Sequence, residues 1–131
     1  MPERVWTLVC EYAVLEQTRK VSIINEFTRF TCSVFPATIF TFFVVSRWKL
    51  FSGDIFRHKV AIFNKEGTVR RITRPNKVVF DPINVNVIGE CDWTTAAAFE
   101  NTPFSHEDTL TIEEIADGIT VYTIDVPIVK R

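Results

Sequence analysis

Apolar and polar residues alternate with a period of two along most of this chain, the period of half-buried β-strands. In "VWTLVCEY", Trp6, Leu8, Cys10 and Tyr12 share one phase, and Val5, Thr7, Val9 and Glu11 share the other. Cys10 and Glu11 therefore point to opposite sides of a sheet and cannot act as a pair. After a connection at Glu16–Arg19, Val21, Ile23, Asn25 and Phe27 continue as a second strand, joined to the first as a hairpin or by a crossover. A third strand from about Thr38 to Leu50 is apolar in both phases. Phe40, Phe42, Val44 and Trp48 lie on one face, with Ile39, Phe43 and Val45 on the other. Such a strand is either central and covered on both faces or presents an apolar face for assembly.

Beyond a turn at Ser52–Asp54, Phe56, Val60 and Ile62 alternate as far as the hairpin-like "NKEG", Asn64–Gly67. The following "TVRRITR" is polar and basic, which predicts an edge strand. Lys77–Phe80 comes next; Pro82 interrupts, and Ile83, Val85 and Val87 resume the alternation up to Gly89. Cys91–Glu107 is the least regular stretch. Three alanines within Thr95–Phe99 allow one helical turn, Pro103 closes it, and the segment predicts a long surface loop. Thr109–Ile115 and Ile119–Ile128 are the last strands, with Asp117-Gly118 as the turn between them. About eight short strands, without repeat or linker, predict a single domain over residues 1–131. Its expected fold is an all-β, antiparallel β-sandwich of the immunoglobulin or C2 kind, with one long irregular loop.

Composition sharpens this picture. Hydrophobic residues make up 47% of the chain and charged residues 24%, a globular rather than a disordered profile. Twelve Phe with three Trp and two Tyr lean further towards β structure. The strongest apolar run, "FPATIFTFFVV", is too short to span a bilayer and contains Pro36. "MPERVW" does not open a secretory signal. A cytoplasmic location without membrane contact is the expectation. Cys10, Cys32 and Cys91 are odd in number and lack a C-x-x-C pair, which predicts free thiols.

Several short segments carry a resemblance: "CEYA" at Cys10–Ala13, "KVSIINEF" at Lys20–Phe27, "FPA" at Phe35–Ala37 and "PF" at Pro103-Phe104. Together they resemble a family of small, uncharacterised bacterial proteins with a sandwich-like β fold. The resemblance covers most of the chain and implies that fold and a bacterial or phage setting. It implies no activity and carries over no functional residues; the stretch around Cys91–Asn101 is an addition to the family pattern.

Reactive groups are scattered. A nucleophile needs a base within hydrogen-bond reach and a third group to orient that base. Of the two histidines, His58 shares a phase with Phe56 and Val60, which predicts a packed core histidine. His106 sits in "SHED", as in a solvated turn. No nucleophile elbow, P-loop or H-E-x-x-H pattern occurs, and no cofactor is expected. Cys91, Asp92, His106 and Asp108 are the imaginable metal ligands, without the close pairing that fixes two corners of a zinc site. Glu113 and Glu114 alternate across a strand and diverge.

Charge is unevenly spread. From Arg47 to Lys77 there are nine Lys or Arg and two acids; from Asp92 to Asp125 there are eight acids and no Lys or Arg. One reading is a set of solvated strand faces with edge cations that discourage aggregation. The other is a recognition surface for a charged partner or a second copy. Arg70, Arg71, Arg74 and Lys77 are its candidate residues, with Trp48 nearby in sequence. Nucleic acid is not the expected partner, because Arg70 and Arg74 share a face from which Arg71 points away, and the acidic third repels phosphate. The expected function is a non-catalytic module for binding a protein partner or for homo-oligomerisation, through the third strand or the basic edge. The alternative is a small hydrolase or metal-dependent enzyme built on the 91–108 loop with His106.

Overall fold

A strand buries alternate side chains only when a second layer covers them, and here two β-sheets face each other. The computed structural model describes residues 2–15, 21–51, 53–73, 76–79 and 90–131. Among these are ten strands: β1 Glu3–Leu15, β2 Val21–Phe27, β3 Phe30–Cys32, β4 Ala37–Phe51, β5 Ile55–Asn64, β6 Arg70–Ile72, β7 Asn76–Val79, β8 Glu90–Phe104, β9 Asp108–Ala116 and β10 Ile119–Lys130. The first sheet runs β2-β1-β4-β8. The second runs β3-β10-β9-β5-β6, with β7 pairing the other end of β5. All pairs are antiparallel except β3 with β10. The protein is all-β and sandwich-like, as the alternation predicts, with β1 inside its sheet rather than at the edge where an immunoglobulin sandwich begins. No helix among the described residues is long and apolar enough to cross a membrane.

Turn chemistry sets the hairpins. Asp117 and Gly118 both have positive φ, 51° and 77°, as a two-residue turn between twisted strands demands. Asp117 also accepts a hydrogen bond from Arg57 N at 2.9 Å, tying that turn to β5. At the β5–β6 turn, Asn64 Oδ1 accepts from Val69 N at 3.0 Å and its Nδ2 donates to Thr68 Oγ1 at 2.7 Å. β6 then forms the expected basic edge, and β1 and β2 pair as a hairpin.

Two readings need correction. The stretch read as an irregular loop with a helical turn is β8, paired with β4 from Phe104 opposite Ala37 to Glu90 opposite Phe51. Its alanines suit the sheet because small side chains fit beside Phe43 and Val45 of β4, and that context overrides their helix preference. The second correction concerns β4. Phe42 and Val44 are buried, but Phe40 is 75% exposed while Ile39 packs on the core. The inward phase switches at Phe40–Thr41, opposite a matching switch on β8. There Phe99 and Thr102 are buried and the intervening Glu100 and Asn101 face out. Asn101 has φ 51°, a left-handed conformation that asparagine tolerates better than most residues.

Arg74 and the strand expected at Ile83–Val87 lie outside the described residues, as do residues 16–19 of the first connection and Ser52.

Candidate interaction surface

The inward faces hold two apolar clusters with a polar layer between them. One cluster includes Val9, Phe42, Val44, Val60, Ile62, Phe99, Leu110 and Ile112; the other is Trp48, Leu50 and Phe56. Between them, Thr7, Ser46 and Thr95 are register partners across β1, β4 and β8. Facing them from the second sheet are His58 of β5 and Glu114 of β9. The Glu114 carboxylate accepts from Thr7 Oγ1 at 2.7 Å and from the Ser46 hydroxyl, and it meets His58 Nε2 at 3.4 Å. Arg4 extends the layer: its Nη1 donates to Thr7 Oγ1 at 3.4 Å, and its guanidinium stacks 3.8 Å from the Tyr122 ring centroid. Trp48 Nε1 donates to Thr95 Oγ1 at 3.1 Å.

Serine, histidine and glutamate thus meet, in an order unsuited to nucleophilic catalysis. A triad places the imidazole between the hydroxyl and the carboxylate, so that it takes the hydroxyl proton. Here the carboxylate occupies the middle, with Ser46 and His58 both on its Oε1. Ser46 is fully buried, Glu114 is 1% exposed and His58 5%. The layer joins the sheets. His58 is the packed core histidine its phase predicts, with the Trp48 and Phe56 rings edge-on at 5.5 and 6.4 Å. Glu113 and Glu114 diverge as expected. Sequence reasoning missed the cluster, although Glu114 shares its phase with Leu110 and Ile112, and Ser46 with Val44 and Trp48.

The metal alternative loses its geometry with the loop. Asp92 lies near the start of β8 and His106 just past its end, and the strand between them spans about 40 Å. Asp92 sits 3.8 Å from Arg47, His106 3.4 Å from Glu66, and Asp108 accepts from Asn64 Nδ2 at 3.0 Å.

The basic edge is only partly assembled as expected. Arg70 is exposed on β6, while Arg71 turns the other way and donates to the carbonyls of Glu100 and, at 2.7 Å, Asn101. It staples β6 of one sheet to the phase switch on β8 of the other. Lys77 lies on β7 opposite Arg57. Trp48 cannot join them: it is 1% exposed and anchors the smaller cluster, so it offers a partner no surface.

Outside the core, β4 does offer one. Val45 is fully buried beneath its neighbours on the outer face, but towards the Ala37 end the cover stops. Tyr12, 49% exposed, and Ile24, 50% exposed, are cross-strand partners, and Phe43 meets Tyr12 edge-to-face at 5.5 Å and 86°. With Phe40 they line a wide, shallow groove of about 1060 Å³, whose other walls include Thr41, Asn25 and the carboxylates Glu11 and Glu100. Among the described residues, no Lys or Arg lines it. Asn25 Nδ2 donates to Glu11 at 2.6 Å, holding that carboxylate at the groove.

Burial pushes the Cys10 thiol up from its ordinary range, a backbone hydrogen bond at Tyr12 works the other way, and Glu26 adds to the rise. Cys10 and Cys32 are free. No protein-family model matches the chain, and no curated protein matches it significantly.

Proposed function

We propose that this chain is a non-catalytic binding or assembly module that associates with a protein partner, in the first instance a second copy of itself. The observation that carries the reading is Phe40, 75% exposed at the point where β4 switches phase, with Tyr12, Ile24 and Phe43 beside it. An aromatic ring left in water forgoes roughly 2–3 kcal/mol of burial, and a cluster of such side chains marks a contact surface. Aromatic anchors also dominate protein interfaces. The groove is broad and shallow, which suits a segment of protein better than a small substrate. A cytoplasmic, bacterial setting goes with this reading; the free thiols of Cys10 and Cys32 and the family resemblance support it.

Light scattering over a protein concentration series tests the proposal. Wild type should form oligomers that dissociate on dilution, and Phe40→Ser should weaken association at equal concentration with little change in thermal stability, because Phe40 is already mostly exposed in the monomer. A wild type monomeric at every concentration, or a variant that assembles as well as wild type, would count against it.

A further inference from the structure

The groove is not chemically neutral. Its apolar floor is bordered by two carboxylates, Glu11 and Glu100, and no cation among the described residues lines it. An aromatic surface attracts a cation through the ring quadrupole, and flanking carboxylates hold a guanidinium by charge-assisted hydrogen bonds. A purely apolar partner would leave both carboxylates desolvated at the contact without a counter-charge from the partner. The occupant that satisfies the whole groove carries a guanidinium next to an aliphatic side chain.

The chain itself presents such a pair. On the edge strand β6, Arg70 and Ile72 lie two residues apart and so share a side; Arg70 is exposed and Ile72 is 57% exposed. Arg71, between them, points the opposite way and is engaged with the carbonyls of Glu100 and Asn101 in its own molecule. The alternation of one short strand therefore divides its cations, with Arg71 used within the molecule and Arg70 directed outward.

We infer that association, on the reading proposed above, is head-to-tail: the Arg70–Ile72 edge of one copy enters the Tyr12–Phe40–Phe43 groove of the next, with Arg70 between the rings and Glu11 and Glu100. The surface that gives differs from the surface that receives, so this is a heterologous contact. It builds a ring or an open chain according to the angle between successive copies.

The test uses two variants in exposed positions, Phe40→Ser and Arg70→Glu, followed by sedimentation velocity alone and mixed in equal amounts. Each variant alone should associate roughly tenfold or more weakly than wild type, the loss of an interface anchor. The mixture should recover a species of two chains and nothing larger, because Phe40→Ser still supplies an intact edge and Arg70→Glu an intact groove. Wild-type assembly should also weaken as salt rises from low to physiological strength. If Arg70→Glu assembles like wild type while Phe40→Ser does not, the groove mediates association and the assignment of the basic edge is wrong. A mixture that stays monomeric, or wild-type assembly indifferent to salt, likewise overturns the head-to-tail contact. A wild type that is monomeric throughout removes self-association altogether.

Discussion

A carboxylate between two β-sheets must be compensated where it stands, since taking a charge out of water costs several kcal/mol. Glu114 meets that demand with hydroxyls from Thr7 and Ser46 on the opposite sheet and with His58 on a neighbouring strand. Polar groups at one level of an otherwise apolar core also fix register, because a slip of one residue would set Glu114 against hydrocarbon. Glu114→Ala strands three polar partners, and a loss of about 3–5 kcal/mol in urea unfolding is expected. Glu114→Gln, which keeps shape and hydrogen bonding, should lose clearly less; equal losses would show that bulk rather than polarity matters. Cys10 gives a pH signature. Its folded thiol lies above the ordinary value of 9.0, so the unfolded chain releases its proton first as pH rises. That contribution is whole below pH 9.0 and is lost as pH climbs through the folded value. Stability should fall as pH rises above 9.0 in wild type and fall less in Cys10→Ala, read from urea midpoints at each pH; parallel declines would place the cause elsewhere.

At the scale of the element, most strands were legible because a period of two survives wherever one face is buried and the other wet. β1, β5, β9 and β10 all show it, and the Asp117-Gly118 turn announces itself chemically. β8 was not legible. "WTTAAAF" has no strong alternation, its alanines favour helix, and what makes it a strand is fifteen residues of β4 alongside, a fact of tertiary structure. The phase switch at Phe40 and Asn101 was hidden for a related reason, since both β4 phases are apolar and the chain offers no local sign of the change. Asn101 is its structural pivot. Asn101→Gly should leave the thermal midpoint nearly unchanged, whereas Asn101→Val should cost about 1–2 kcal/mol, the penalty of a left-handed backbone. An equal response to both changes would mean that the positive φ is not required there.

Over the whole molecule, the uneven charge of the sequence is largely absorbed within the fold. Of the acids after Asp92, Glu114 lies in the polar layer and Asp117 holds the turn to β5. Asp108 meets Asn64, Glu107 accepts from Lys130 N at 2.6 Å, and Asp125 accepts from Thr111 at 2.8 Å. Arg71 and Arg47 are similarly engaged. Among the charges left facing outward are the two carboxylates of the aromatic groove on one sheet and Arg70, beside Ile72, at the edge of the other. Sequence could locate the doubly apolar strand and the basic edge as separate features. It could not show which end of that strand stays uncovered, because that depends on the register that sets Leu8 and Ala96 beside Val45. Hydroxyl-radical footprinting of dilute and concentrated protein reads that uncovered end directly. In dilute solution Phe40 and Tyr12 should oxidise readily, and on concentration both should become protected together with Ile72, while the exposed Val34 and Ile119, which line neither the groove nor β6, stay reactive. Protection of Val34 or Ile119 with Phe40 still reactive would contradict the groove as the surface of association.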